Sequence, residues 1–338
     1  MVQNLIDQFG RTATNLRVSL TDRCSLRCLY CMPPGHAKWL PKPDLLTEDE
    51  FLRLIGIAVH DLGVRDVRFT GGEPLLYNGV TRLIAATTAM DTAPNTALTT
   101  NGLALARHAA GLRAAGLMRL NVSLDTLNPA RYARITGADR LGDVLDGLAA
   151  AKAAGFDPIK IDTVLLRGIN DDEAVDLTRW AITSGYQLRF IEQMPLGPPG
   201  SWHRDEMITA DEILAMLGAK LNLTPEPASQ RGSAPAETWI VKGVDVPPGV
   251  TATVGVIGSV TRPFCEACNR TRLTADGHIR TCLFAEEETD IRTLLRAGAD
   301  DKTLAQAWAD AMWAKPPGHK INDAALVQPS RPMWAIGG

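Results

Sequence analysis

The chain has 338 residues, enough for one large domain or two and for a substantial buried core. Hydrophobic residues make up 45% and charged residues 22%, the balance of an ordinary soluble enzyme. A formal net charge of -3 sets up no field that would gather nucleic acid or a membrane surface, so an anionic ligand must be held by a few local cations.

No apolar run reaches eighteen residues, and the opening MVQNLIDQFGR lacks the apolar stretch of a signal peptide. A cytoplasmic location is therefore expected. In that compartment six cysteines point to metal or redox chemistry rather than disulfides. They fall into two triplets, Cys24, Cys28, Cys31 and Cys265, Cys268, Cys282.

From residue 14 to about 217 short apolar stretches alternate with amphipathic helical ones. The strand candidates are LRVSL at 16–20, DVRFT at 66–70, TALTT at 96–100, RLNVSLD at 119–125, IKIDTVLL at 159–166 and LRFIEQ at 188–193. Thr47 with Glu50, and Thr209 with Glu212, read as capping boxes that open helices. Residues 141–154 read as a helix stopped by Gly155. Six βα units in series predict a parallel α/β sheet, a partial TIM-like (β/α)6 barrel over 1–217. From 218 the rhythm stops and Pro and Gly become dense, so 218–338 is expected to be a smaller irregular domain. Trp313 and Trp334 are expected to pack.

The strands carry more than their order. Strands of a doubly covered parallel sheet usually read as continuous apolar runs. Here Arg17 and Ser19, Arg68 and Thr70, Arg119, Asn121, Ser123 and Asp125, and Lys160 and Asp162 alternate with Leu, Val, Phe and Ile. Successive strand side chains point to opposite faces, which predicts an apolar outer face under the helices and a polar lumen for an anionic ligand.

The first triplet, spaced C-x3-C-x2-C, supplies three thiolates where a closed site wants four ligands. A [4Fe–4S] cluster held so keeps one iron open for a small molecule; zinc with a distant fourth ligand, or structural thiols, are the bland alternatives. The second triplet, in 265-CEACNRTRLTADGHIRTC-282, is C-x2-C-x13-C. His278 lies four residues before Cys282, so the spacing leaves both a Cys3His zinc site and a second open cluster standing. Arg270 and Arg272, on one face of an extended segment, could clamp a phosphate.

The first triplet together with 70-TGGEP-74 resembles the signature of the radical S-adenosylmethionine superfamily. With 9-FGR-11, 16-LRVSLTDRC-24, 99-TTNG-102, 121-NVSLDT-126, the second triplet and the ending 333-MWAIGG-338, the chain is similar over nearly its whole length to the GTP 3′,8-cyclases of molybdenum cofactor biosynthesis. Ser25, where that family usually has Asn, and Tyr77-Asn78, where a basic residue is common, are its small departures.

The resemblance implies a lyase with two [4Fe–4S] clusters, on Cys24, Cys28, Cys31 and on Cys265, Cys268, Cys282, together with S-adenosyl-L-methionine. It implies that a deoxyadenosyl radical takes hydrogen from ribose C3′ of GTP, and that C3′ then bonds to C8 to give 3′,8-cyclo-7,8-dihydro-GTP. By position, Arg17, Arg68, Thr99, Lys160, Arg270, Thr271 and Arg272 match GTP contacts, and Tyr30, Gly72, Ser123 and Met194 match S-adenosylmethionine contacts. Gly337 and Gly338 match a tail that reaches the active site with Arg17, Arg270 and Arg272, and His278 becomes a structural neighbour of the second cluster. The resemblance also implies a homodimer, an electron donor of unknown identity, and a cyclic pyranopterin monophosphate synthase that receives the product, with no nucleic-acid or membrane partner. Two other readings are a radical enzyme that modifies a peptide, and a zinc-bearing binding module on an inactive barrel.

Overall fold

The computed structural model describes residues 4–32, 38–197, 200–246, 251–319, 321–322, 328–329 and 331–337. Six strands form where the alternation predicts them: β1 Asn15–Ser19, β2 Asp66–Thr70, β3 Asn95–Thr100, β4 Arg119–Ser123, β5 Ile159–Val164 and β6 Gln187–Ile191. They pair in sequence order, all parallel. The crossovers are helical: α1 Glu48–His60, α2 Val80–Thr88, α3 Leu105–Ala114, α4 Pro129–Thr136, α5 Leu141–Ala153 and α6 Ala174–Thr183. After β6 comes α7 Ala210–Gly218. Both capping boxes form, at the starts of α1 and α7. Gly155 follows α5 with φ +84°, a left-handed stop that suits glycine.

The remaining strands are β7 Asn222–Pro225, β8 Glu237–Lys242, β9 Thr253–Ile257, β10 Arg270–Leu273, β11 His278–Arg280 and β12 Thr289–Asp290. The helices there are α8 Ala228–Arg231, α9 Ile291–Arg296, α10 Asp301–Trp313 and α11 Met333–Ile336. The sequence predicts an irregular region after residue 218, yet its strands extend the same sheet. β9 adds parallel to β6 and β10 parallel to β1, so eight parallel strands lie side by side. Antiparallel β8–β7 and β11–β12 flank them, and the sheet stays open between β12 and β7. Periodicity does not reveal β9 and β10 because they are five and four residues long and lack the βα rhythm around them. Among the described residues no helix is long and apolar enough to cross a membrane.

The two faces divide as the alternation predicts. Leu16, Val18, Val67, Phe69, Leu120, Val122 and Ile161 are fully buried under the helices. Each such side chain contributes about 1.5–3 kcal/mol by leaving water. The residues between them point inward. Glu192, just past β6, fastens this end of the barrel. Its carboxylate accepts from Ala210 N (2.6 Å) at the start of α7, from Val260 N (2.7 Å) and Thr261 N (2.9 Å) after β9, and from the Thr261 hydroxyl.

Glu192→Ala would leave three backbone N–H groups without their acceptor. Because an unmet buried donor costs about 1–3 kcal/mol, the variant is expected to lose at least about 3 kcal/mol in urea denaturation. A loss below about 1 kcal/mol would show that water replaces the carboxylate.

Candidate active site

The polar face of the barrel encloses a cavity of about 530 Å³, within the range of small-molecule sites. Strand register sets what stands at each end. The first cysteine triplet follows the C-terminal end of β1. Cys265 and Cys268 precede β10, which runs parallel to β1, so they stand at the opposite end. β11 runs antiparallel to β10 and returns Cys282 to that same end.

At the first end, Cys24, Cys28 and Cys31 all line the cavity. Their loop is pinned by Arg27 N to Thr136 O and Leu29 N to Ile135 O, both 2.9 Å, and by Arg27 Nη1 to Cys24 O at 2.8 Å. The Gly71-Gly72 turn lies directly against it. Gly72 N donates to Thr21 O and Glu73 N to Arg23 O, each at 2.7 Å. Gly71 has φ +142°, and a Cβ on either glycine would collide with the carbonyls of Thr21 or Arg23, so only glycine fits. Glu73 is buried behind the turn and accepts from Leu75 N, Thr100 Oγ1 and Asn101 N at 2.7–2.9 Å. Burial pushes its carboxyl up to about 7 against those hydrogen bonds. The phenol of Tyr30 donates to Asp125 Oδ2 at 2.8 Å, and burial raises Asp125 to about 6.

Burial, with mutual repulsion, raises the thiols of the first triplet, Cys31 to about 12 and Cys28 well above its ordinary value. Three crowded thiols that resist ionisation this way call for a cationic metal centre. Among the described residues no three His, Cys, Asp or Glu side chains converge on the site of one ion. His278 opens β11 beside Leu273 and Thr274, at the end of the β10–β11 pair away from the second triplet; its Nδ1 lies 3.3 Å from Asp276 Oδ2, and that contact raises its pKa. That register, which sets His278 at the opposite end of the strand pair from Cys265, Cys268 and Cys282, keeps the imidazole away from the thiols.

Between the ends lies positive charge. Eight basic side chains line the cavity against four carboxylates. Arg119 pairs with Asp66 (2.8 Å), Arg189 forks onto Asp162 (2.8 Å twice), and Arg231 reaches Glu237 (3.0 Å). Among the described residues, Arg17, Arg68, Lys160, Arg270 and Arg272 have no such carboxylate partner in the cavity, and Arg17 Nε and Arg270 Nη2 are buried with no hydrogen-bond partner. Burial, then the guanidiniums of Arg272, Arg270 and Arg68, drive Arg17 well below its ordinary value. A guanidinium keeps its proton in proteins, so the strain stays as an unmet demand for an anion. Burial, then Arg189 and Arg68, lower Lys160 to about 8.

The C-terminal tail closes the wall. Its carbonyl at Gly337 accepts from Arg272 Nη1. Gly337 has φ +74°, and a Cβ there would strike Ser19 Oγ and Thr70. Arg331 holds the tail through Asp276 (2.8 Å) and Glu288 (2.6 Å).

Most residues singled out from the sequence meet on this one wall. Arg17, Arg68, Thr99, Lys160, Arg270 and Arg272 line it, as do Tyr30, Gly72, Ser123 and Met194. Thr271 does not. Its side chain faces outward, fully buried, and its hydroxyl accepts from Trp308 Nε1 at 2.9 Å, because strand neighbours alternate faces. Cys265, Cys268 and Cys282 are not part of the lining, though their neighbours Phe264, Asn269 and Leu283 are. Gly338 lies outside the described residues. Of the two tryptophans expected to pack, Trp313 is 57% exposed, while Trp334 lines the cavity edge-on to Trp39 at 5.5 Å. Sequence reasoning missed Arg189, whose alternation with Leu188 and Phe190 was a usable signal. It also missed Arg231, which sits in a Pro- and Gly-dense stretch that carries none.

Family models match in two blocks: the radical SAM superfamily over residues 18–181 and Molybdenum Cofactor Synthesis C over 186–321. The GTP 3′,8-cyclase of Streptomyces coelicolor is 56% identical over 99% of this chain and 96% of its own. The chain belongs to the GTP 3′,8-cyclase family. The GTP 3′,8-cyclase of Mycolicibacterium smegmatis is 57% identical over 99% of this chain and 92% of its own. The GTP 3′,8-cyclase 2 of Mycobacterium tuberculosis is 55% identical over 99% and 92%. The crystal structure of Streptococcus suis SuiB bound to S-adenosylmethionine aligns at a TM-score of 0.59 over 96% of this chain and 78% of that one. At 13% identity that likeness is one of fold. As a radical SAM enzyme of this family, the chain takes a [4Fe–4S] cluster and S-adenosylmethionine.

The lowered pKa of Lys160 fixes the sign of a pH effect. The ammonium is charged below about 8 and attracts an anion; above it the charge is lost. Affinity for inorganic tripolyphosphate, measured by calorimetry, should fall by up to about tenfold per pH unit above that point. Lys160→Met should bind more weakly at pH 7 and lose most of that slope. An unchanged slope would assign the titration to another group.

Proposed function

We propose that the chain catalyses the 3′,8-cyclisation of GTP, the first step of molybdenum cofactor biosynthesis, as a lyase. One observation carries this reading: a surplus of buried cations between two cysteine triplets at opposite ends of one lumen. A triphosphate is the anion that such a surplus neutralises. Arg17 Nε and Arg270 Nη2, buried and unpartnered, are donors ready for its oxygens. Arg68 and Lys160 extend the same face, and Arg189 is held on Asp162 as a fixed part of it.

On this reading, the first triplet holds the cluster that binds S-adenosylmethionine, beside Tyr30, Gly72, Ser123 and Met194. The second triplet would hold another [4Fe–4S] cluster, whose three cysteines leave one iron for the guanine base. The bound cofactors, with one electron from the donor, would supply a 5′-deoxyadenosyl radical to take hydrogen from ribose C3′; C3′ would then bond to C8, and a further electron and a proton would quench the radical left on the base. The chain's part is placement. The basic wall fixes the triphosphate, so ribose and base fall between the two ends. A misplacement of C3′ by about an ångström could cost on the order of a hundredfold. Arg272 and the tail at Gly337 complete the wall beside the reacting ribose and base. Residues 1–217 carry the cofactor end and 218–338 the substrate end. The same reading includes an external electron donor, a homodimer, a cytoplasmic location and delivery of the product to a cyclic pyranopterin monophosphate synthase.

The deciding experiment is iron and sulfide content of anaerobically reconstituted enzyme, with electron paramagnetic resonance before and after GTP. About eight irons per chain and a signal perturbed by GTP are expected for two open clusters. About four irons plus one zinc, silent to GTP, would remove the cyclase reading.

Arg17→Ala and Arg270→Ala should turn over GTP poorly while still cleaving S-adenosylmethionine slowly. A variant that cleaves none would place its arginine in the cofactor site instead. Removing Gly337 and Gly338 should abolish cyclisation with both clusters assembled. Full activity in the truncated enzyme would deny the tail a catalytic part.

A further inference from the structure

Lys315 is a buried ammonium, 3% exposed, just beyond α10. A buried charge without a partner is costly, and lysine usually meets a carboxylate there. Lys315 does not. Its three hydrogen bonds run to Arg270 O (2.9 Å), Cys268 O (3.3 Å) and Cys268 Sγ (3.4 Å). The anions facing it are therefore the thiolates of Cys268 and, farther off, Cys282.

The ammonium is also held in place. Lys315 N bonds Met312 O at 3.1 Å. The next two carbonyls, of Pro316 and Pro317, accept from the Arg11 guanidinium at 2.5 and 2.7 Å. Arg11 also bonds Cys265 O at 2.9 Å and is itself paired with Asp7 at 2.5 Å. A Cβ on Gly318 would lie 3.6 Å from Cys265 Sγ, so the chain from 315 to 318 runs against two of the three cysteines.

We infer that Lys315 is a positioning residue that donates a charge-assisted hydrogen bond to the Cys268 thiolate and so raises the reduction potential of the second cluster. This rests on the two-cluster reading above. The physical ground is simple. Reduction adds negative charge to the cluster, and a fixed cation on a ligand sulfur favours the more negative state. Lys315 also fastens the backbone on both sides of Asn269, so it sets where Arg270 begins on the wall.

The test is a redox titration of the reconstituted holoenzyme by electron paramagnetic resonance, with iron counted in every sample. Lys315→Met should keep both clusters. At a fixed applied potential its second cluster should show a reduced-to-oxidised ratio about tenfold lower, a midpoint about 59 mV more negative for a one-electron couple. The first cluster, at the other end of the lumen, should not move. Lys315→Arg, which keeps the charge and the donors, should restore the midpoint. If Lys315→Met loses the second cluster, Lys315→Gln and Lys315→Arg carry the comparison, with the Gln midpoint expected below the Arg one. Eight irons with an unchanged midpoint, or equal midpoints for Gln and Arg, would overturn the inference while leaving two clusters in place. Wild-type enzyme with only four irons would overturn both.

Discussion

The architecture depends on repulsion among cations that share one face of a sheet. Arg17 lies between Arg272 on one side and Arg68 on the other in the register of β10, β1 and β2. All three point into the lumen, and burial strips them of water. Among the described residues nothing neutralises them fully. Asp66 and Asp162 are taken up by Arg119 and Arg189, and Glu192 by backbone donors. The fold can hold such a group only because the other face of each strand is fully apolar. Val18, Val67 and Phe69 anchor the same strands whose inner faces are electrostatically strained.

That arrangement also explains why the sheet is open and long. A closed eight-strand barrel fills its interior with side chains. Here β9 and β10 continue the sheet on either side of the six-strand core, and the gap is bridged by loops and the C-terminal tail. The open sheet leaves a cavity of about 530 Å³ against its polar face. The loops that carry chemistry then follow from strand direction. One triplet leaves the C-terminal end of β1 and the other enters the N-terminal end of β10, its parallel neighbour. Two cysteine loops on adjacent parallel strands must stand at opposite ends when one follows its strand and the other precedes it.

Much of this is legible in the sequence because it is local. The period-two pattern of LRVS, DVRF and RLNVS gives strand, face and charge at once, and the two Thr-x-x-Glu boxes give helix starts. What is not legible depends on register between distant segments. RTRL at 270–273 reads as an extended segment whose two arginines share a face, and only pairing with β1 sets that face in the lumen and makes Thr271 an outward anchor. Trp334 reads as a packing residue until the tail is seen folded back against Trp39. Arg189 lay within reach, but Ile191 and Glu192 blurred the alternation of its strand. Lys315 carries no signal, since one lysine among Pro and Gly says nothing about the thiol it meets.

β10 shows how closely these parts are coupled. Its inner face presents Arg270 and Arg272 to the lumen. Its outer face buries Thr271, whose hydroxyl is held by Trp308 on α10. The same helix ends two residues before Lys315, which bonds the carbonyls of Cys268 and Arg270 at the start of the strand. One helix thus fixes both the middle and the entry of the strand that joins the second triplet to the basic wall. Arg272 in turn grips the Gly337 carbonyl. A shift of α10 would therefore move a cysteine loop, two arginines and the tail together. The placement of the second triplet, the two arginines and the tail thus depends on the outward-facing residues of β10 as much as on those that face the cavity.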